Sequence, residues 1–165
     1  MEIEGRGEVK TKTLIIYNSI HHGNTEKVTK AMAKTLNAEL LRADQAELDV
    51  NMLSDYDLIG FGSGIYYGKH HESLFAFVDK LPSQENKKAF IFSTRGIIKL
   101  PFIPDFHKPL KKKLLEKGFD VIGEFSCRGW DTFIRVFNIV GGISKSRPDE
   151  KDLKQAEDFA RGLRF

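Results

Sequence analysis

The side chains best suited to chemistry in this sequence lie in a polar stretch at residues 17–26. The stretch follows an apolar run at 13–17 and precedes a helix-like pattern that begins near Glu26. Hydroxyl and amide side chains, together with the free N–H groups of a helix start, suit a phosphate oxygen, and the helix dipole favours an anion there. We therefore predict a phosphate-binding loop, formed by Ser19, His21, His22, Gly23, Asn24 and Thr25.

The same loop lacks the common nucleotide-binding signatures. The Walker sequence requires two glycines with Lys-Ser/Thr after the second, and the dinucleotide fingerprint requires three spaced glycines. This loop has one glycine, Gly23, and no lysine before Glu26. The spacing therefore disfavours ATP, GTP and NAD as ligands. The alternative to a phosphate-binding loop is an ordinary strand-to-helix turn that is capped by Thr or Asn.

Apolar runs and helical patterns alternate along the chain and predict the elements that position this loop. Continuous apolar runs predict buried strands over 13–17, 39–42, 56–62, 88–93 and 119–127. Helical spacing of apolar residues predicts helices over 25–36, 70–81, 110–118 and from 148 onward. Strands that alternate with helices imply a parallel sheet with right-handed crossovers. The predicted fold is α/β, a three-layer, doubly wound, five-stranded parallel sheet in a single domain over 1–165, with a poorly ordered extension at 1–12.

Two further loops are predicted at the edge of the sheet that carries the phosphate-binding loop. Ligands of doubly wound sheets bind outside the carboxyl ends of the strands, so residues that follow the strands are binding candidates. The loop after the third predicted strand contains Ser63, Gly64, Ile65, Tyr66, Tyr67 and Gly68. The loop after the fourth contains Ser93, Thr94, Arg95 and Gly96. Three polar loops at one edge, one of them aromatic and rich in glycine, predict a ligand site.

The first strand, its Ser/Thr/Asn loop and the following helix resemble the start of the flavodoxin family, although two histidines precede Gly23 here. The order of elements from Lys12 to about Leu163 extends this resemblance over nearly the whole chain. It implies strand order 2-1-3-4-5 and FMN, not FAD, as the cofactor. The first loop would take the phosphate, while the second and third would flank the isoalloxazine ring. Tyr66 or Tyr67 would stack on that ring, and the other tyrosine would pack inward.

A narrower resemblance involves residues 58–71. This segment is similar to the flavodoxin-like branch that includes the menaquinone-dependent protoporphyrinogen oxidases, which carries an Ile/Gly-rich strand, then Tyr-Gly and histidines that open the helix. Those oxidases have a longer segment late in the chain, and most of it is absent here. The resemblance therefore implies the cofactor and leaves the substrate open.

Composition and charge limit the other classes of function. The net charge is +3 with dispersed charges, and the sequence shows no basic arm or nucleic-acid motif, so we expect no nucleic-acid binding. The single cysteine, Cys127, excludes an internal disulfide and a multi-cysteine metal site, and it indicates a reducing cytoplasm. No apolar run reaches the roughly 18 residues that a membrane span requires, and residues 1–12 lack a signal core. We expect a cytoplasmic protein with no transmembrane segment.

Histidines and Cys127 leave few catalytic or metal-binding alternatives. The histidine pairs at 21–22 and 70–71 have no Cys or acidic partner at ligand spacing, so we predict no metal site. His70 and His71 are predicted to cap a helix or to line the flavin pocket. Cys127 is either a thiolate activated by Arg128 or an inert small hydrophobe. Since no nucleophile elbow is present, we predict no catalytic side chain.

The resulting hypothesis is an FMN-binding flavodoxin-like electron-transfer protein. The alternatives are an FMN-dependent oxidoreductase that acts on a quinone or porphyrinogen-type substrate, and a flavin-free module that binds partners. Arg95 is expected to raise the flavin potential, although it could be only a solvated loop residue. Two apolar segments, 97–106 and 130–140, are predicted to cover the site or to dock a redox partner protein, a quinone-like small molecule or a second subunit of a homodimer. Within the second segment the prediction rests on Trp130, Phe133, Ile134, Val136 and Phe137.

Overall fold

The computed structural model describes residues 10–20, 23–47, 49, 51–96, 105–129 and 147–163. Several predictions therefore concern residues outside the described ranges: those on His21 and His22, on most of the extension, and on most of the two apolar segments. Residues 10–12 of the predicted extension are described, and Lys12 is held in place because its backbone N–H donates to Asp57 Oδ2 at 2.8 Å. No helix among the described residues is both long and apolar enough to cross a membrane.

Strands and helices alternate along the described chain as the sequence predicts. The strands are β1 Thr13–Asn18, β2 Glu39–Arg42, β3 Leu58–Tyr66, β4 Lys69–His70, β5 Lys87–Arg95 and β6 Phe119–Arg128. The helices are α1 Asn24–Leu36, α2 Glu72–Lys80, α3 Lys108–Glu116 and α4 Glu150–Gly162. Five of the strands form a parallel sheet in the order β2-β1-β3-β5-β6, and β4 pairs only with β3. The predicted α/β doubly wound fold is confirmed, with order 2-1-3-4-5 when the short β4 is left out of the numbering.

The central strands end later than predicted. β3 continues past Gly62 because it pairs with β5 as far as Gly64 and then with β4 through Ile65 and His70. β5 continues to Arg95 because β6 pairs with it at that position. The prediction that residues 63–66 and 94–95 lie beyond the strands was therefore wrong, since pairing with neighbouring strands keeps the backbone extended. These residues form the carboxyl edge of the sheet itself.

The segment after β3 is a tight hairpin, whereas the sequence predicted a helix that starts at residue 70. Tyr67 and Gly68 have φ values of 50° and 78°, and a two-residue hairpin loop with two positive φ angles is a type I′ turn. The turn leads directly into β4, so His70 belongs to a strand. Helix α2 begins at Glu72, and the His71 side chain caps it by accepting the Ser73 N–H.

The core lies on both faces of the sheet, which confirms the three-layer arrangement. On one face, Phe61, Ile59 and Ile91 pack with residues of α2 and α3. On the other face, the side chains from the sheet and from α1 and α4 are Ile15, Leu58, Phe90, Phe92, Val28, Met32, Ala156 and Ala160. Glycines in β3 make room for two of these rings, because a Cβ on Gly62 would lie 2.1 Å from Phe92 Cζ.

Candidate functional site

The first predicted loop wraps around the start of α1. Gly23 occupies the N-cap position with φ 64° and makes no side-chain cap. The Ser19 hydroxyl instead accepts the Glu26 backbone N–H at 3.2 Å, although Ser19 lies seven residues earlier. Thr25 and Asn24 are buried in the first turn of the helix. The loop therefore places hydroxyl and amide groups around a helix N-terminus, where the dipole favours an anion.

The ends of β5 and β6 meet this helix start. The Thr25 and Thr94 hydroxyls form a hydrogen bond of 2.9 Å, which links the predicted first and third loops. Past the end of β6, the Gly129 N–H donates to the Arg95 carbonyl oxygen at 2.8 Å. A Cβ on Gly129 would lie 2.7 Å from Asn24 Nδ2, so only glycine fits between the two segments. Strands that are far apart in sequence thus converge on one polar corner.

Two buried polar atoms at this edge make no hydrogen bond within the described protein. They are Asn18 Oδ1, at the end of β1, and Arg95 Nε, at the end of β5. The Arg95 guanidinium lies 5.8 Å from the centre of the Phe106 ring, and burial lowers the pKa of Arg95. Because a buried polar group without a partner costs about 1–3 kcal/mol, such atoms mark positions where a ligand can complete the hydrogen bonding.

The β3–β4 hairpin supplies an aromatic surface beside this corner. Tyr67 is 87% exposed at the tip of the turn. Tyr66 is half-buried, and its ring meets the His71 ring edge-on with centroids 5.5 Å apart. A cavity of about 300 Å³ lies between the hairpin and Ile20, which is itself 52% exposed. Of the two tyrosines, Tyr67 is the one that can present a ring face to a ligand.

Two predicted site residues are buried beneath the loops. Ser63 and Ser93 are fully buried, and their hydroxyls bond to His70 Nδ1 at 2.9 Å and to His107 Nε2 at 2.7 Å. The remaining members, Gly64, Ile65, Gly68, Thr94 and Gly96, lie on the strand ends and turns around them. His107 was missed from the sequence. The signal was present, because the following Lys108-Pro109 pair marks a helix start and makes residue 107 its N-cap.

Cys127 and the histidines provide neither a reactive thiol nor a metal site among the described residues. The Cys127 side chain is 6% exposed, and burial raises the pKa of its thiol to about 12. Of the two interpretations from the sequence, the inert hydrophobe is therefore the correct one. No cluster of three or more His, Cys, Asp or Glu side chains is positioned to hold a metal ion in the described ranges.

Comparisons with known proteins agree with this architecture. An archaeal flavodoxin structure superimposes with a TM-score of 0.64 at 16% identity, covering 92% of this chain and 94% of that one. Oxidised flavodoxin 1 from Bacillus cereus gives a TM-score of 0.63 at 18% identity, with 91% and 95% coverage. Rubredoxin oxygen:oxidoreductase from Desulfovibrio gigas gives 0.66 at 17% identity, but this chain covers only 35% of that protein. These similarities show the fold.

Sequence comparison defines the family. An uncharacterized protein of Methanocaldococcus jannaschii is 51% identical over 153 residues, which cover 92% of this chain and 97% of the relative. The family model described as "Flavodoxin domain" matches residues 14–126. The narrower resemblance to protoporphyrinogen oxidases is not confirmed by these comparisons. The chain belongs to the flavodoxin domain family.

Proposed function

We propose that this protein binds FMN at the carboxyl edge of its sheet and transfers electrons through it. The observation that carries the proposal is the convergence, at one edge, of a polar helix start and an exposed aromatic hairpin. The first suits a phosphate, and Tyr67 in the second suits a flat ring. Membership of the flavodoxin domain family supports the same cofactor. The proposal includes no catalytic side chain, because the flavin itself supplies the redox chemistry.

The helix start is the proposed phosphate site. Its members are Ser19, His21, His22, Gly23, Asn24 and Thr25. The described residues fit a phosphorylated ligand, since Asn18 Oδ1 and Arg95 Nε are buried at this edge with no hydrogen-bond partner among those residues. Neither atom is explained by packing alone, because an apolar side chain would avoid the cost of an unpaired polar group. A ribityl phosphate offers both hydroxyl donors and oxygen acceptors to such a corner.

The hairpin and the end of β5 form the proposed ring site. Residues 63–68 approach from one side and residues 93–96 from the other. Tyr67 contributes an aromatic face, which is worth about 0.5–1.5 kcal/mol beyond burial. Arg95 is a half-buried cation at the end of β5. A cation at that position favours negative charge on the ring and is expected to raise the reduction potential.

Cofactor binding tests the proposal directly. The purified protein is titrated with FMN, riboflavin and FAD, and binding is followed by flavin fluorescence. We expect one FMN per chain, bound more tightly than riboflavin because of the phosphate and more tightly than FAD because the chain offers no second phosphate loop. A protein that binds none of the three flavins would contradict the proposal and would favour the partner-binding alternative.

A second assay separates an electron carrier from a reductase. The FMN-loaded protein is mixed with reduced nicotinamide and a soluble quinone, with and without an added flavodoxin reductase. We propose the carrier function, so reduction of the flavin should require the added reductase. Steady oxidation of nicotinamide by the protein alone would instead identify an oxidoreductase with a quinone-type substrate.

A further inference from the structure

Two buried histidines lie directly behind the proposed ring site. His70 follows the Tyr67 turn and ends the hairpin, while His107 follows Phe106 and begins α3. His70 is 1% exposed and His107 is 7% exposed. Their ring centroids are 5.1 Å apart with an interplanar angle of 36°. His70 thus ends the hairpin of the proposed ring site, His107 begins α3, and the two rings bring the hairpin and the helix start together.

Serines at the ends of the central strands hold both rings. Ser63 and Ser93 are register partners on β3 and β5, and Ser126 is the partner of Ser93 on β6. The hydroxyl of Ser63 bonds to His70, and that of Ser93 bonds to His107. The result is a polar row across three strands near the carboxyl edge of the sheet. Most polar side chains in such a buried position are hydrogen-bonded.

The hydrogen bonds define where the protons lie on the two rings. The Ser63 hydroxyl donates to the Gly64 carbonyl oxygen at 2.7 Å and accepts the His71 N–H at 3.0 Å. Having used its only proton, Ser63 must accept from His70 Nδ1, so this nitrogen carries hydrogen and Nε2 does not. The Ser93 hydroxyl donates to Ser126 at 3.0 Å. By the same reasoning, His107 carries its hydrogen on Nε2.

The surroundings of His70 disfavour a positive charge on its ring. His70 Nε2 is buried with no hydrogen-bond partner among the described residues, and the charged group that acts on His70 is His107. From β6, Glu124 Oε1 lies 3.9 Å from His107 Nδ1, but Lys111 of α3 lies 3.4 Å from the same carboxylate. Asp105 accepts the His107 backbone N–H at 3.0 Å. Burial, and then His107, lower the pKa of His70 well below 6.5.

We propose that His70 and His107 are positioning residues that hold the hairpin and the start of α3 together behind the proposed ring site. We call this contact between the two histidines, with their serine partners Ser63 and Ser93, the joint. The joint holds while both imidazoles are neutral and is released when His70 is protonated. The proposal rests on the proposed function, because its consequence is a ring site that weakens in acid. Protons bind more readily to the released form, so affinity for the ring should fall over the acidic pH range in which the cofactor-free protein takes up that proton.

The variants that test this joint separate two properties of the histidine rings, the hydrogen bond that each donates to a serine and the ability to take up a proton. His70→Asn keeps an N–H donor in the δ position for Ser63, and His107→Gln keeps one in the ε position for Ser93, but neither amide titrates. His70→Ala and His107→Ala remove the donor altogether. Leu114→Ala, in the apolar core of α3, provides a matched loss of stability at a distance from the pair.

Riboflavin is the probe for the first measurement, because it lacks the phosphate whose own ionisation would complicate the pH dependence. Riboflavin affinity of the wild-type protein and of Leu114→Ala should fall by up to about tenfold per pH unit below the pH at which His70 is protonated in the cofactor-free protein, the limit for one linked proton. His70→Asn combined with His107→Gln should retain the affinity at pH 7.5 and lose this slope. The alanine variants should bind weakly at every pH. Equal affinity and slope in all variants would overturn the proposal.

The second measurement needs no cofactor. Imidazole NMR signals of the cofactor-free protein, assigned with the two amide variants, should show His70 as the Nδ1–H tautomer and His107 as the Nε2–H tautomer. The His70 ring should remain neutral at pH 6.5 and should take up its proton only at the lower pH at which riboflavin affinity begins to fall. Reversed tautomers, or titration of His70 near pH 6.5, would overturn the proposal. If no flavin binds at any pH while these signals behave as expected, the proposed function fails and the joint stands.

Discussion

The middle of the sheet and its carboxyl edge are both buried, but they are built from different residues. In the middle, Ile15, Ile59 and Ile91 are fully buried on three adjacent strands. A few residues further along the same strands, the buried side chains are Asn18, Ser63 and Ser93. The change from aliphatic to polar side chains occurs at the same level on each strand. Parallel pairing brings these levels into register, so the edge becomes one continuous polar layer.

Under the proposed function, the difference separates the residues that stabilise the fold from those that would contact the flavin. Aliphatic burial contributes about 25 cal/mol per Å² and requires no partner. A buried polar group contributes little even when it is paired and costs about 1–3 kcal/mol when it is not. An edge that contained only structural residues would gain from apolar side chains. The polar layer therefore fits the proposed binding site, and we expect mutations in the two regions to have different consequences.

The largest effect on stability is expected in the middle of the sheet, at Phe90. This ring is fully buried between Phe92 and Phe159. Phe90→Ala should lower the free energy of unfolding by about 3–5 kcal/mol, because it removes apolar contacts and leaves a cavity. Urea unfolding measures the loss, and Phe90→Leu should cost much less. FMN affinity of the folded variant should remain within about threefold of wild type. A large loss of FMN affinity in folded Phe90→Ala would show that the middle of the sheet and its carboxyl edge do not act independently.

Cys127 tests whether position at the edge is enough to make a residue reactive. It pairs with Thr94 in the strand register, yet burial raises the pKa of its thiol from an ordinary value of 9.0 to about 12. The thiolate fraction near neutral pH should then be about a thousandfold lower than in the unfolded chain. Alkylation by iodoacetamide should be slower in native protein by a similar factor, with urea-unfolded protein as the reference. Comparable rates would place the thiol in a solvent-accessible site.

Thr25 should show the opposite behaviour, with a larger effect on binding than on folding. Its hydroxyl bonds to Thr94 at the helix start, and when Thr94 is the donor in that bond, Thr25 is able to donate its own proton to a phosphate oxygen. A hydrogen bond to a charged group is worth about 1.5–3 kcal/mol, so Thr25→Ala should weaken FMN binding by about tenfold to a hundredfold.

Two comparisons show whether the loss of FMN affinity in Thr25→Ala comes from a lost contact with the phosphate. Riboflavin affinity should be unchanged in Thr25→Ala, because riboflavin carries no phosphate. Thr35→Ala removes a hydroxyl from the same helix that bonds only to the Ala31 carbonyl oxygen, so it should leave FMN affinity intact. Loss of riboflavin affinity with unchanged FMN affinity would assign the loop to the wrong end of the cofactor.

Most of the fold could be predicted because it follows from local pattern. Continuous apolar runs gave the five long strands, and helical spacing gave the four described helices. The ends of β3 and β5 could not be predicted from the local sequence, since Ser63 and Gly64 interrupt the apolar run of β3 and suggest a loop. They are extended because neighbouring strands pair with them. Long-range pairing outweighs local propensity at these positions.

The position of the candidate site could be predicted, but the buried serines and histidines beneath it could not. The rule that ligands bind at the carboxyl ends of strands placed residues 19–25, 63–68 and 93–96 at one edge. It could not show that Ser63 and Ser93 bond to histidines beneath that edge, because His70 and His107 reach them only through folding. Ile20, which lines the cavity beside the hairpin, was missed as a site residue for a different reason. Nothing in the sequence indicates that a single apolar residue within a polar loop is exposed in the fold.

The smallest effect is expected at Tyr67, where stability and binding should change in opposite directions. The described residues with positive φ that are not glycine are Asn37, Tyr67 and Asn86. Asparagine tolerates this conformation, whereas for a bulky residue it is strained by about 1–2 kcal/mol. Tyr67→Asn should therefore raise the free energy of unfolding by about 0.5–1 kcal/mol in urea unfolding.

The same substitution removes the exposed ring and should weaken FMN and riboflavin binding equally, by about twofold to tenfold. Tyr67→Phe is the matched control, since it keeps both the strain and the ring face. A Tyr67→Asn variant that gains stability without losing flavin affinity would show that Tyr67 does not serve the ring site. In that case the division between a stabilising middle of the sheet and a binding edge would not extend to the hairpin.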